Sequence, residues 1–277
     1  MSTLRFAVNC SILFTDLPLA RRPAAVRAAG FDAMELWWPF PTAAPSDGEI
    51  DQLVRAIEDA GVRLVALNFA AGDMAGGDRG LVSWPGREQE FRDSVAVAVD
   101  IGQRLGTEVF NALYGNRIPG VDPQWQDDLA VENLAYAAGM VSRIGGRVVV
   151  EPLSGAAHYP LRTATDAVAV VDRVAVPNVA LLADLYHLAV NGVDVDDAIT
   201  RYASRIGHVQ IADAPGRHEP GTGQLPIGEY LAALEAAGYS GYVGLEYVPS
   251  TTSERAFDWL PPARRATARS ASARKEQ

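Results

Sequence analysis

The sequence predicts an α/β fold, an eight-stranded (β/α)8 barrel, from two observations. Short apolar runs rich in β-branched residues alternate with longer segments of helical period, which is the pattern of repeated βα units and a parallel sheet. Eight such runs occur in a chain of 277 residues, and one barrel of this class takes about 250 residues. An open doubly wound sheet is disfavoured, because the turn after the first predicted strand, Asn9 to Ile12, lacks the glycines of a dinucleotide-binding loop.

The predicted strands are four to six residues long and mostly apolar. They span residues 6–10, 33–36, 63–68, 108–113, 147–151, 179–184, 206–211 and 242–246. Helical periodicity fills the intervals, at residues 17–29, 47–60, 86–105, 123–144, 163–174, 194–204 and 227–237, with a short closing helix at 251–259. Glycines just past four of these segments, Gly30, Gly61, Gly106 and Gly238, are typical helix C-terminal caps.

No linker, internal repeat or low-complexity stretch divides the body, so one barrel domain is predicted over residues 1–262. Residues 263–277 carry four arginines and the lysine Lys275, and we expect a basic, disordered tail there. The third and fourth strand-to-helix loops, residues 69–85 and 114–122, are long. Long loops on the catalytic side of a barrel commonly act as lids.

Composition excludes several classes of function. The formal net charge is −10, which argues against a nucleic-acid partner because phosphate binding requires a basic face. No apolar run approaches the length of a membrane span, and the N-terminus lacks the features of a leader peptide, so we expect a cytoplasmic protein. The single cysteine, Cys10, leaves no internal disulfide. The single lysine, Lys275, excludes Schiff-base chemistry in the body and a nucleotide-binding P-loop, and no nucleotide cofactor is expected.

Polar side chains occupy the ends of four consecutive predicted strands. They are Glu151, Asp184, Gln210 and Glu246, and they converge because all strand ends of a barrel meet at one face. Three carboxylates in an apolar barrel mouth repel one another unless a cation offsets them. Without a lysine nearby, a divalent metal is the simplest cation, and hard oxygen donors favour Mg²⁺ or Mn²⁺, with Zn²⁺ not excluded.

These strand ends also indicate a chemistry. A divalent cation acidifies the C–H of an α-hydroxycarbonyl compound, so Glu151 and Glu246 would then remove and deliver a proton on adjacent carbons. The reaction class is aldose–ketose isomerisation or epimerisation through an enediol.

Further polar residues surround the predicted metal site. His187 follows Asp184, and Arg217 and His218 lie in a loop rich in glycine and proline after the seventh strand. Arg217 suits a substrate carboxylate, because guanidinium and carboxylate groups pair bidentately. Asn68 ends the third strand and provides polar lining. We therefore expect His187, Arg217, Asn68 and His218 to contact a small carboxylated, sugar-like substrate, whereas His208, one pleat deeper, is interpreted as a core histidine.

Several segments resemble the sugar isomerase and epimerase superfamily of xylose isomerase-like TIM barrels, and within it the hydroxypyruvate isomerase family. They are FAVNCSILF, NFAAGDMAGGDRG, PGREQEFR, VVVEPLS, ADLYH, GHVQIADAPGRHEPGTG and LEYVPS. The resemblance implies a metal site at the four strand ends, Glu151 and Glu246 as the acid/base pair, and His187 and Arg217 near the substrate. The implied reaction converts hydroxypyruvate to tartronate semialdehyde.

The resemblance also separates this chain from other barrels. Ketose 3-epimerase relatives carry a histidine where this chain has Gln210, and endonuclease IV relatives use a histidine-rich three-metal site, whereas this chain has four histidines. Isomerisation of a longer acid, a 2-oxo-tetronate, stays open, as do a related sugar-acid epimerase or dehydratase and a non-catalytic metabolite-binding barrel. A homo-oligomer is also left open.

Overall fold

The computed structural model describes residues 4–266 and shows a closed barrel of eight parallel strands, which confirms the predicted fold class. Neighbouring strands pair in chain order, and the barrel closes where the first strand pairs with the last, Arg5 opposite Tyr242. The strands are β1 Arg5–Asn9, β2 Ala33–Leu36, β3 Arg63–Asn68, β4 Val109–Asn111, β5 Arg147–Val150, β6 Val179–Asp184, β7 Ile206–Ile211 and β8 Tyr242–Leu245.

Helices fill the connections between the strands. They are α1 Arg22–Ala28, α2 Asp47–Ala60, α3 Glu88–Leu105, α4 Pro123–Ser142, α5 Ala164–Val174, α6 Leu185–Val190, α7 Val195–Tyr202 and α8 Ile227–Ala236. The sequence supplies their ends: Ser46 and Glu49 form a capping box at the start of α2. Gly61 and Gly106 end α2 and α3 in the left-handed conformation, as their spacing predicts.

Two predicted helices differ from the structure. The closing helix predicted at 251–259 is wrong: only a 3-10 turn forms, at Arg255–Phe257. The buried hydroxyl of Ser253 accepts a hydrogen bond from Phe14 N at 2.7 Å, which holds this stretch against the first loop. The helix predicted from residue 17 begins as a 3-10 turn at Leu19–Arg21, and its α-helical part starts at Arg22.

Strand register gathers polar side chains at the carboxyl end of the barrel. Residues paired across parallel strands point to the same face, and the pairs near the strand ends are Asn9 with Glu35, Asn68 with Asn111, and Asp184 with Gln210. All six side chains are buried. One end of the barrel interior is therefore a dense polar layer.

The packed chain continues past the predicted domain boundary at residue 262. The guanidinium group of Arg265 donates hydrogen bonds to the carbonyl oxygens of Leu260, Phe257 and Ala29. Most of the predicted tail, residues 267–277, lies outside the described residues. Across residues 4–266, none of the helices combines the length and the apolar character needed to cross a bilayer.

Candidate active site

A cavity of about 380 Å³ opens at the carboxyl end of the barrel. Its walls include side chains from β3, from α6 and from the loops after β3 and β7. The segments that follow β2, β5 and β8 also contribute side chains. Among them are Trp37, Asn68, Arg79, Glu151, His187, Arg217 and Glu246. The structure thus brings Asn68, His187 and Arg217 to the same cavity as the two glutamates.

Four acidic or imidazole side chains meet at the floor of this cavity. Glu151, Asp184, His187 and Glu246 each offer one ligand atom, and these atoms lie within 4.8 Å of one another. All four are at least nine-tenths buried, and Asp184 is 1% exposed. Such a buried cluster of carboxylates has the donor chemistry of a divalent-cation site.

Asp184 is oriented by the helix that follows it. Its Oδ1 accepts hydrogen bonds from the backbone N–H groups of Tyr186 and His187, at 2.9 and 3.3 Å, and so caps the N-terminus of α6. Oδ2 is buried and has no hydrogen-bond partner within residues 4–266. An unpartnered buried carboxylate oxygen is costly, and its position beside Glu151 and Glu246 fits a bound cation.

Gln210 presents a second unpartnered oxygen. Its Nε2 donates to Glu35 Oε1 at 2.8 Å and to Glu246 Oε1 at 3.2 Å, while its Oε1 is buried and has no partner in the part of the chain that the structure describes. The two acceptors fix which end of the amide carries the donors, so the free end is the oxygen. The predicted donor set of Glu151, Asp184, Gln210 and Glu246 therefore fits a hard divalent cation.

His187 belongs to the cluster in space, but its hydrogen bonds suit another role. The backbone N–H of Ser154 donates to His187 Nδ1 at 3.1 Å, and the Ser154 hydroxyl lies 2.7 Å from the same atom. Nδ1 is therefore the acceptor, and in the neutral ring Nε2 carries the hydrogen. Burial lowers the pKa of His187 to about 4. The neutral ring thus directs an N–H towards the cavity, with Nε2 3.6 Å from Asp184 Oδ2.

Among the described residues, Glu246 accepts more hydrogen bonds than the other two carboxylates of the cluster, Glu151 and Asp184. Oε1 accepts from the side-chain nitrogens of Trp37 at 2.5 Å, Asn9 at 3.0 Å and Gln210 at 3.2 Å. Oε2 accepts from Arg217 Nη2 at 2.5 Å. Burial raises the pKa of Glu246 to about 8, although Arg217 acts to lower it.

Glu151 has a sparser environment. Among the described residues, its carboxylate accepts one hydrogen bond, from Asn111 Nδ2 at 2.7 Å. Burial raises its pKa well above the ordinary value, and the neighbouring carboxylates of Glu246 and Asp184 raise it further. The two glutamates therefore share a buried site while differing in how strongly their charged forms are stabilised.

The loop after β7 carries Arg217, and Asp213 organises that loop. The Asp213 carboxylate accepts hydrogen bonds from four backbone N–H groups, those of Ala214, Gly221, Gly223 and Leu225, at 2.8 to 3.0 Å. This folded loop holds Arg217 at φ 57°, with its guanidinium group over the acidic cluster.

The structure does not bring His218 to the cavity. Its Nδ1 lies 2.9 Å from the carbonyl oxygen of Val248, in the segment after β8, and His218 is not among the residues that line the cavity. The β-bridge between Asp213 and His218 fixes this arrangement. The predicted contact of His218 with substrate therefore has no support in the geometry.

Sequence reasoning missed a buried layer directly below the cluster. Glu35 accepts hydrogen bonds from Asn9 Nδ2 at 2.9 Å and from Gln210 Nε2 at 2.8 Å, and its Oε2 lies 2.6 Å from His208 Nε2. His208 is the core histidine that its depth predicts. The available signal for Glu35 was its place at the end of the second strand.

Comparison with known proteins places this chain in a family. The model of the xylose isomerase-like TIM barrel family matches residues 23–263. A Streptomyces coelicolor protein provisionally named hydroxypyruvate isomerase is 53% identical, over 95% of this chain and 97% of that protein. The Escherichia coli hydroxypyruvate isomerase is 34% identical, over 94% of this chain and all of that protein. The 2-oxo-tetronate isomerase of Cupriavidus necator is 33% identical, over 93% of this chain and 98% of that protein.

Solved structures share the fold. A Brucella melitensis protein described as an AP endonuclease of family 2 superposes with a TM-score of 0.86 at 35% identity, covering 95% of this chain and all of that one. The D-psicose 3-epimerase of Clostridium cellulolyticum superposes with a TM-score of 0.70 at 22% identity, over 94% and 91% of the two chains, a likeness of fold alone. The chain therefore belongs to the xylose isomerase-like TIM barrel family, and its full-length relatives identify it as an isomerase.

Proposed function

We propose that the protein interconverts hydroxypyruvate and tartronate semialdehyde. The observation that carries this proposal is the buried pair Glu151 and Glu246, whose ligand atoms lie within 4.8 Å of each other beside an unpartnered Asp184 oxygen. Two carboxylates at one cation site suit proton transfer between adjacent carbons. The names of the relatives support the three-carbon acid as substrate.

A divalent cation, Mg²⁺ or Mn²⁺ in preference to Zn²⁺, would be held by Glu151, Asp184, Gln210 and Glu246. When bound, it would acidify the C–H beside the substrate carbonyl group and stabilise the enediol oxygens. The unpartnered oxygens of Asp184 and Gln210 support this donor set, because both are buried beside the two glutamates. Because Nε2 of His187 carries a hydrogen, this nitrogen has no free lone pair with which to bind a metal.

The protein's own groups carry the proton transfer. One of the two glutamates removes a proton from C3 of hydroxypyruvate, and a proton is delivered to C2, while the oxygen protons exchange so that substrate and product are isomers. His187 donates its Nε2–H to a substrate oxygen, and Asn68 and Arg217 line the same cavity.

A second candidate is the same chemistry on a four-carbon acid. The relative named 2-oxo-tetronate isomerase is 33% identical over nearly the full length, and a cavity of about 380 Å³ admits either acid. The epimerase and dehydratase alternatives have weaker support, since the D-psicose 3-epimerase is only 22% identical and shares the fold alone. A non-catalytic barrel has no need for three clustered buried carboxylates. We also propose a cytoplasmic location and no nucleic-acid partner.

Proton NMR of the Mn²⁺- or Mg²⁺-supplemented protein with hydroxypyruvate in D₂O tests the proposal, with detection under Mg²⁺ to avoid paramagnetic broadening. We expect loss of the C3 protons and appearance of the aldehyde or its hydrate carrying deuterium. Conversion without deuterium would contradict solvent-exchanging proton transfer. Absence of conversion, together with turnover of 2-oxo-tetronate, would establish the four-carbon reaction instead.

A further inference from the structure

We infer that Arg79, in the loop after β3, binds the carboxylate of the substrate. This inference rests on the proposed function, because it assigns a partner to the acid group of hydroxypyruvate or 2-oxo-tetronate. The cavity at the carboxyl end of the barrel is lined by two arginines, Arg79 and Arg217. The two arginines differ in their hydrogen bonds and ion pairs, and this difference indicates which of them is available to bind the substrate carboxylate.

Arg217 is already engaged by the acidic cluster. Its Nη2 donates to Glu246 Oε2 at 2.5 Å and lies 3.6 Å from Asp184 Oδ2. The charge of Arg217 is therefore shared with the cluster, while its Nε, buried without a partner among the described residues, leaves its predicted contact with substrate a prediction.

Charge balance at the cavity floor leads to the same conclusion. With one divalent cation bound, its two charges and that of Arg217 would balance the three carboxylates of Glu151, Asp184 and Glu246. A substrate that brings a further carboxylate then needs an additional positive group, because an unpaired charge is costly to desolvate. Arg79 is the other arginine that lines this cavity.

The guanidinium group of Arg79 is held in place without being neutralised. Its Nη1 donates to the carbonyl oxygens of Met74 and Asp78, at 3.0 and 2.6 Å. Within residues 4–266, its Nε and Nη2 make no hydrogen bond and the group forms no ion pair. The adjacent carboxylate of Asp78 is paired with Arg87 instead, at 2.9 Å. Arg79 therefore retains donors and charge for a ligand.

The backbone around Arg79 is fixed against the neighbouring loop. The carbonyl oxygen of Arg79 accepts a hydrogen bond from Gly115 N at 3.0 Å, and Ser83 N donates to Tyr114 O at 2.8 Å. Gly80 has φ +116°, and a Cβ there would overlap the carbonyl oxygen of Leu113. This close approach requires glycine. The arginine is thus preorganised on the wall, which favours bidentate recognition of a carboxylate.

Arg79→Met tests the inference, because it retains much of the volume and removes the charge. Glycerate, the reduced form of hydroxypyruvate, serves as a ligand that binds without turnover. We expect the Mn²⁺-loaded variant to bind glycerate roughly 30-fold more weakly or worse by calorimetry, as expected for loss of a desolvated charge pair. Mn²⁺ affinity itself should be unchanged. Arg79→Lys should recover part of the binding, since it restores the charge without the planar fork.

Arg27→Met is the matched control, because Arg27 is an exposed arginine on α1, away from the cavity. Unchanged glycerate affinity in Arg79→Met, or an equal loss of Mn²⁺ and glycerate binding, would overturn the inference. Failure of the proposed function gives a different result: wild-type protein would bind glycerate through Arg79 and yet convert neither hydroxypyruvate nor 2-oxo-tetronate.

Discussion

The two sides of the cavity floor differ in how their acidic groups are held. On the β7–β8 side, Glu246 accepts hydrogen bonds from four side chains, and Gln210 is fixed from below by Glu35. On the β5–β6 side, Glu151 accepts one hydrogen bond among the described residues, and Asp184 has one oxygen without any. The β7–β8 side is held by more protein hydrogen bonds, and there Gln210 Oε1 is free among the described residues, whereas on the β5–β6 side both Glu151 and Asp184 keep lone pairs for a cation and substrate.

The largest expected effects come from exchanging each glutamate for its amide. Glu151→Gln and Glu246→Gln should each lower the rate of substrate C–H exchange by about 10² to 10⁴-fold, the usual contribution of a general acid or base. Exchange is measured by NMR in D₂O. A variant that still exchanges at the wild-type rate would contradict the two-carboxylate mechanism.

The same two variants should differ in stability when metal is chelated. Glu246→Gln leaves Arg217 without its carboxylate partner, and we expect a loss of about 1–3 kcal/mol in the free energy of unfolding. Glu151→Gln removes a buried carboxylate from among like charges, so its stability should equal or exceed that of the wild type. Urea unfolding in EDTA measures both, with Glu58→Gln on the exposed face of α2 as control. Equal losses would refute the contrast between the two sides.

Glu35→Gln tests whether Glu35, in the buried layer below the cluster, fixes the orientation of the Gln210 side-chain amide. The substitution places an NH₂ group among the donors of Asn9, Gln210 and His208, so at least one donor loses its acceptor. We expect a loss of about 2–4 kcal/mol in the free energy of unfolding. Mn²⁺ affinity, measured by calorimetry on folded protein, should fall about tenfold or more. Unchanged Mn²⁺ affinity would show that Gln210 is oriented by other contacts.

The barrel and the meeting of Glu151, Asp184, Gln210 and Glu246 could be predicted from the sequence, because strand periodicity and the rule of common strand ends suffice. Helix α6 could not, since six residues are too few for a helical period, and its start depends on Asp184 turning back to cap it. The wall position of Arg79 depends on the packing of two loops.

Long-range pairing explains what else was missed. Glu35 and His208 are 173 residues apart in the chain, and only the closure of the barrel brings them together. The position of His218 away from the cavity lining likewise goes with its contact with Val248, which no local pattern indicates. Local patterns therefore predict the strand ends, whereas the contacts that orient them arise from tertiary structure.

Asp213→Asn tests the loop that supports Arg217. Burial acts to raise the pKa of Asp213, but the hydrogen bonds from four backbone N–H groups outweigh it and lower the pKa. The charged form therefore stabilises the fold above the unfolded pKa of about 3.9, and this contribution is lost as pH falls through the lowered folded pKa.

We expect Asp213→Asn to lower the free energy of unfolding by about 1–3 kcal/mol at pH 7. As the pH is lowered, the free energy of unfolding of the variant should also fall less steeply than that of the wild type, because the contribution of the Asp213 carboxylate is absent. Urea unfolding from pH 7 down to about pH 3 measures it. Asp100→Asn, at an exposed position on α3, provides the control. If the free energy of unfolding declines as steeply with falling pH in Asp213→Asn as in the wild type, the decline comes from other carboxyl groups and not from Asp213.

Ser154→Ala should have the smallest effect, because the backbone N–H of Ser154 still donates to His187 Nδ1 after the hydroxyl is removed. One acceptor bond is enough to keep the hydrogen on Nε2, so the ring should continue to face the cavity as a donor. We expect kcat to fall less than about fivefold, the equivalent of one neutral hydrogen bond of about 1 kcal/mol. Nitrogen-15 NMR of the histidine ring should show the same tautomer as in the wild type. A change of tautomer would mean that the Ser154 hydroxyl, and not the backbone N–H, determines which ring nitrogen of His187 carries the hydrogen. The β5–β6 side of the cavity floor would then depend on a side chain that the backbone cannot replace.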